Sequence, residues 1–186
     1  MKNKEIEFKY FAKVTLTEFK EFCEKRNPER FLIISGYDHF YMNSGIEGSF
    51  YRHRVNTNEN QLTFKKKTTV ENNFIREEHN IDLPLDVSQE KIKDLCNING
   101  YQYNTSIFKN CFIYNYSYYT LVFYICYDVN LNELNRFIEI EMKEDFDWTS
   151  EIEAMGALTT LERLCGHLKV DPTSRINQSL FEMYRK

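Results

Sequence analysis

The sequence predicts an α+β fold, a single antiparallel β-barrel of about eight strands with helices on its outside. Three observations lead there. Segment after segment alternates charged with apolar residues at a period of two, the mark of a strand with one polar and one apolar face. The links between these segments are short and polar, which favours antiparallel neighbours. Helical periodicity is confined to two connections and the carboxyl end, as outer helices on a closed sheet require.

The first strand runs from Glu5 to Val14, where EIEFKYFAKV alternates almost throughout. Thr15-Leu16-Thr17-Glu18 reads as a capping box, and Leu16, Phe19, Phe22 and Cys23 follow at helical spacing up to Arg26. Four strands come next: Arg30 to Met42, Ser49 to Val55, Gln61 to Lys67 and Asn73 to Leu83. Asp86 and Ser88 cap a helix ending near Cys96, with Val87, Ile92 and Leu95 inward, and Asn99-Gly100 closes it. Three more strands are expected at Tyr101 to Phe112, Tyr118 to Val129 and Arg136 to Lys143. From Ser150 a second capping box opens a helix whose apolar stripe is Ile152, Met155, Leu158, Leu161 and Leu164, reaching Leu168; Pro172 ends it, and Asn177 to Tyr184 adds a last turn.

With 186 residues, 42% hydrophobic and 28% charged, the chain is expected to form one domain over 1–186. The net charge of -4 argues against a general affinity for nucleic acid. Five dispersed cysteines, an odd number, favour reduced thiols over a disulfide framework. No apolar run approaches the roughly 20 residues of a spanning helix, so a cytoplasmic protein with no membrane partner is expected. The histidines and cysteines lack the spacing of a structural zinc site, and no glycine-rich phosphate loop is present. The many tyrosines around Tyr114 to Tyr127 read as strand formers rather than a stacking platform.

Charged residues stand two apart in five of the strands: Glu5, Glu7, Lys9; Arg52, Arg54; Lys65, Lys67; Arg76, Glu78; and Glu139, Glu141, Lys143. On a single strand such alternation ordinarily marks a solvated outer face. Repeated on five strands, it predicts a barrel whose polar faces converge on the interior while Ile6, Phe8, Ile138, Ile140 and Met142 face the outer helices. Enclosed charges are costly unless paired. Mixed sign therefore implies an anion for the Lys and Arg set and a cation for the carboxylates, and the oxygen donors Glu5, Glu7, Glu139 and Glu141 suit Mg2+ or Mn2+.

At these residues the chain resembles the CYTH superfamily, the triphosphate tunnel metalloenzymes. Glu5-Ile6-Glu7-Phe8-Lys9 is similar to their amino-terminal Glu-x-Glu-x-Lys, Arg52-His53-Arg54 to their Arg-x-Arg strand, Leu62-Thr63-Phe64-Lys65 to Leu-Thr-x-Lys, and Arg76-Glu77-Glu78 to Arg-x-Glu. Arg136 to Glu141 resembles the late strand ending in Glu-Ile-Glu, with Asp128 matching an upstream aspartate. The chain departs from the pattern at Lys109-Asn110-Cys111, where the family has Lys-x-Arg, and at Ser179-Leu180, where it has Ser-Tyr.

The resemblance implies metal on Glu5, Glu7, Glu139 and Glu141, phosphate held by Lys9, Arg52, Arg54, Lys65, Arg76 and Lys109 with Lys67 and Lys143 in phase beside them, and catalytic roles for Lys9, Glu78 and Asp128. It implies a metal-dependent triphosphatase acting on inorganic, nucleoside or thiamine triphosphate. Class IV adenylyl cyclase is the alternative, followed by an RNA 5′-triphosphatase and a non-catalytic binder of a phosphorylated ligand. Oligomeric state is left open, a homodimer included.

Overall fold

The computed structural model describes residues 4–46, 48–67, 75–143 and 148–185, without the side chains of Lys67 and Ile75. Eight strands close into a barrel: β1 (Lys4–Phe11), β2 (Arg30–Met42), β3 (Ser49–Asn56), β4 (Asn60–Lys67), β5 (Ile75–Asp82), β6 (Gln102–Asn115), β7 (Tyr119–Tyr127) and β8 (Glu133–Met142). Around the barrel their order is β1-β5-β4-β3-β2-β6-β7-β8, and every pairing is antiparallel. β1 makes the closure. Its first residues, Lys4 to Ile6, pair with Glu77 to Ile75 of β5, and Glu7 to Phe11 pair with Glu141 to Phe137 of β8.

Four helices lie around it: α1 (Leu16–Glu24), α2 (Gln89–Ile98), α3 (Glu151–Leu164) and α4 (Leu180–Tyr184). Thr15 and Glu18 form the expected capping box on α1, and Ser179 with Glu182 forms another on α4. The main hydrophobic core sits outside the barrel. Ile6, Phe8 and Tyr10 of β1, Leu121 and Phe123 of β7, and Ile138, Ile140 and Met142 of β8 pack there against Phe19 and Phe22 of α1 and Ala154, Leu158 and Leu161 of α3. The outward placement of Ile6, Phe8, Ile138, Ile140 and Met142 is as the alternation predicts. A second cluster, Tyr41, Leu62, Ile92, Cys96 and Tyr101, seats α2 on the barrel.

Two helix faces differ from expectation. On α3 the buried positions are Ala154, Leu158, Leu161 and Glu162, whereas Ile152 is 85% and Leu164 59% exposed. The contact face is thus rotated toward the small Ala154, and it includes Glu162 because Tyr10 and Arg175 both donate hydrogen bonds to that carboxylate. On α2 the inward residue of the last turn is Cys96 rather than Leu95, which is exposed. The first strand ends at Phe11 instead of Val14, and the expected start of β5 at Asn73 lies outside the described residues. All five cysteines are free thiols, and among the described residues no helix is long and apolar enough to cross a membrane.

Candidate functional site

Residues of alternating number on each strand face the barrel interior, where they line a cavity of about 390 Å³. Six basic side chains (Lys9, Arg52, Arg54, Lys65, Arg76, Lys109) and six acidic ones (Glu5, Glu7, Asp38, Glu78, Glu139, Glu141) share it. They are arranged as linked ion pairs. Lys65 Nζ stands 2.7 Å from each carboxylate oxygen of Glu5 and 2.7 Å from Glu78 Oε2. Across the β3–β4 pairing, Arg52 Nη2 donates to Thr63 Oγ1 (3.1 Å) and reaches Glu78 Oε1 at 3.4 Å. Lys9 Nζ lies between Glu7 (3.3 Å) and Glu139 (3.1 Å), and Arg76 Nη1 is 3.5 Å from Glu7.

A second cluster is built around Asp38 on β2. Arg54, its cross-strand neighbour, donates from Nε to Oδ1 (2.8 Å) and from Nη2 to Oδ2 (3.1 Å), a two-pronged contact, and Lys109 Nζ approaches Oδ2 at 3.6 Å. Lys109 also lies 4.4 Å from the centre of the Tyr124 ring. The Tyr124 hydroxyl donates to Glu139 Oε1 at 2.7 Å and so joins the two clusters. Gly36 permits the close approach of β2 and β3 beside them, since a Cβ there would stand 2.4 Å from the Val55 carbonyl oxygen. The cavity is bounded by Leu180 of α4, whose neighbour Phe181 packs on Phe40 and Phe50 with ring centres 5.9 and 4.9 Å away.

Ionisation follows this pairing. Burial alone would raise the Asp38 carboxyl, but Arg54 and Lys109 outweigh it and hold the group well below the usual carboxylate range. Glu5 is likewise lowered against its burial, by Lys65, Arg76 and Arg52, and Glu139 by Lys9, Lys109 and Tyr124. Glu7 and Glu141 go the other way. Burial raises Glu7, reinforced by Glu139; burial raises Glu141, reinforced by Glu5, Glu7, Glu139 and Glu78. Carboxyls are thus crowded together on the β1–β8 side of the cavity.

No family model and no curated protein matches the sequence. Solved structures match over nearly the whole chain. The PH1012 protein of Pyrococcus horikoshii OT3 is 16% identical with a TM-score of 0.74, covering 97% of this chain and 99% of that one. A conserved hypothetical protein of Pyrococcus furiosus is 18% identical at a TM-score of 0.72, over 97% and 99%. A candidate adenylate cyclase of Vibrio parahaemolyticus is 13% identical at 0.71, over 98% of each chain. The chain shares the closed eight-stranded barrel fold of these structures.

Of the residues singled out in the sequence, the tunnel brings Glu5, Glu7, Lys9, Arg52, Arg54, Lys65, Arg76, Glu78, Lys109, Glu139 and Glu141 into one cavity. Two are placed otherwise, and a third is not described. Asp128 lies in the turn after β7, where its carboxylate accepts from the backbone of Asn130 and Asn132 and from the Asn132 side chain (2.8, 2.8 and 3.0 Å), so it organises that turn and does not line the tunnel. Lys143 is in phase with Glu139 and Glu141 but falls one residue beyond β8, and its amine turns to Glu29 at 3.5 Å, away from the tunnel. Lys67 ends β4, and its side chain lies outside the described residues. Asp38 was not anticipated. Its signal was a single carboxylate in the otherwise uncharged run Phe31 to Met42, save for His39, in phase with Gly36 and Phe40.

The donor set fits a hard divalent cation in kind, because Glu5, Glu7, Glu139 and Glu141 offer carboxylate oxygens on the adjacent strands β1 and β8. Among the described residues no three His, Cys, Asp or Glu groups are already gathered around one point. Glu5 and Glu139 are instead drawn to Lys65 and Lys9.

Proposed function

We propose that the tunnel is the active site of a metal-dependent phosphohydrolase that removes the terminal phosphate from a small triphosphate, whether inorganic or the nucleoside or thiamine ester. The observation that supports this most directly is the lining itself, six cationic and six acidic side chains around one cavity of a size suited to a small ligand. Phosphoryl transfer requires little covalent help from the protein, so positioning and charge neutralisation suffice.

In this reading Lys9, Arg52, Lys65 and Arg76 hold the phosphate oxygens, with Arg54 and Lys109 beyond them. Each exchanges an internal carboxylate partner for a phosphate oxygen, a change from one charge-assisted hydrogen bond to another. Glu5, Glu7, Glu139 and Glu141 would hold Mg2+ or Mn2+, which when bound neutralises phosphate charge and polarises the phosphorus centre. Once phosphate oxygens occupy Lys65 and Arg52, the carboxylate of Glu78 is released next to the terminal phosphate. There it accepts a proton as water attacks: a new P–O bond forms from the water oxygen, the bridging P–O bond breaks, and diphosphate leaves.

The test is incubation of the full chain with inorganic triphosphate, ATP and thiamine triphosphate in Mg2+ or Mn2+, with the products identified. Release of orthophosphate and the corresponding diphosphate is expected. Formation of cyclic AMP with pyrophosphate from ATP would overturn the hydrolase in favour of a cyclase, and binding without turnover would overturn both.

A further inference from the structure

The cavity carries a second chemistry that a bare polyphosphate does not use. On β2, β6 and β7, Leu32 pairs across the sheet with Ile113, and Ile113 with Val122, forming an unbroken apolar row on the interior face. All three line the same cavity as the charged residues. Val122 is buried in a hydrophobic cluster with Phe40, Phe50 and Leu180, and Ile113 packs against that cluster, whereas Leu32 is half-buried and joins none, so the row leads from packed core to a side chain that faces the cavity. The row also runs directly into the charged wall, since Val122 pairs with Glu139 and Glu139 with Lys9. Two residues before Ile113 on β6, Cys111 lines the same cavity and is likewise uncharged beside Lys109.

We infer that Leu32, Ile113 and Val122 seat an apolar organic group carried by the ligand, which is therefore a phosphorylated amphiphile: a polyphosphate head among the lysines and arginines, and a hydrocarbon group against this row. The inference rests on the phosphate reading of the same cavity and names the class of its substrate. An inorganic triphosphate would leave Leu32 and the uncovered part of Ile113 against water, whereas an alkyl group removes that surface from solvent, worth about fourfold in affinity per fully buried methylene. A nucleobase is a poorer occupant. It needs hydrogen-bond partners along its edge, and the row offers none; Thr120 and Asn115, which line the same cavity, are already joined to each other by a 3.0 Å bond from the Thr120 hydroxyl to Asn115 Oδ1.

The experiment is calorimetric titration of the full chain with inorganic triphosphate, n-butyl triphosphate and ATP, with and without Mg2+. The butyl ester is expected to bind on the order of tenfold or more tighter than inorganic triphosphate, a part of what complete burial of its four carbons would give. Ile113→Asn should bring that ratio toward one; Leu32→Thr, at a half-exposed position, should lower it in the same direction and serves if the first variant does not fold. Inorganic triphosphate or ATP binding as tightly as the butyl ester, or a ratio untouched by both folded variants, overturns the amphiphile while leaving the phosphate site standing. No binding of any of the three overturns the phosphate reading along with it.

Discussion

The two walls of the tunnel reach stability in opposite ways. On β1, β3, β4, β5 and β8 most of the side chains lining the cavity are charged and satisfy one another, Lys9, Arg52, Lys65 and Arg76 each standing against a carboxylate. On β2, β6 and β7 the inward row of Leu32, Ile113 and Val122 has no charge, and charge returns where Asp38 and Lys109 close toward Arg54. The difference shows how a charged interior persists without its ligand: mixed sign lets the wall compensate itself, so an incoming anion competes with built-in carboxylates rather than filling an electrostatic void. On the proposed function, selectivity would come from exchange on one wall and from dehydration on the other.

Breaking the internal compensation should have the largest effect. Asp38→Asn leaves Arg54 and Lys109 without their shared counter-charge and is expected to cost about 3–5 kcal/mol in denaturant unfolding. Inorganic triphosphate should raise the melting temperature of this variant more than that of the parent, since the anion supplies the missing charge. The pH dependence has a definite sign. Because the folded-state value of Asp38 is depressed, its contribution is complete above the unfolded value of about 3.9 and declines as pH falls through the folded one. The stability gap between parent and variant should therefore narrow below about pH 4.

Next come the carboxylates of the charged wall. Glu5→Gln or Glu7→Gln, which changes charge at nearly constant volume, should lower metal-dependent phosphate release on the order of 10²–10³-fold while leaving the circular dichroism spectrum unchanged. Unaltered metal dependence in both variants would sink the assignment of that wall.

Tyr124→Phe removes the hydrogen bond to Glu139 but keeps the ring under Lys109. It should destabilise by about 1.5–3 kcal/mol, the range for a hydrogen bond to a charged group. The smallest effect is expected at the apolar wall. Leu32→Ala should cost below about 1 kcal/mol because that side chain already faces the cavity, whereas Phe8→Ala, buried between sheet and helices, should cost about 3–5 kcal/mol. A large loss at Leu32 would make it ordinary core and erase the contrast between the walls.

The charged wall was legible because strand periodicity acts locally. Glu5, Glu7 and Lys9 must share a face whatever the rest of the chain does, and the same holds for Arg52 with Arg54 and for Glu139 with Glu141. The apolar wall was not legible, since a half-buried leucine facing a cavity has the same neighbours in sequence as a leucine in a core. Asp38 was hidden for a related reason: its partners arrive from β3 and β6, and nothing near it in the chain announces them. Lys143 and Asp128 misled in the opposite sense, because being in phase with a strand, or upstream of one, does not survive the strand's end.

Local pattern was therefore sufficient for the strands, for the α1 cap and for which residues travel together on one face, all of which depend on neighbours within a few positions. Barrel closure settled which carboxylate each lysine and arginine finds, and that an uncharged row lies among them. Those outcomes depend on pairings such as Lys65 with Glu5, sixty positions apart, and a contact at that separation leaves no periodic trace in the chain.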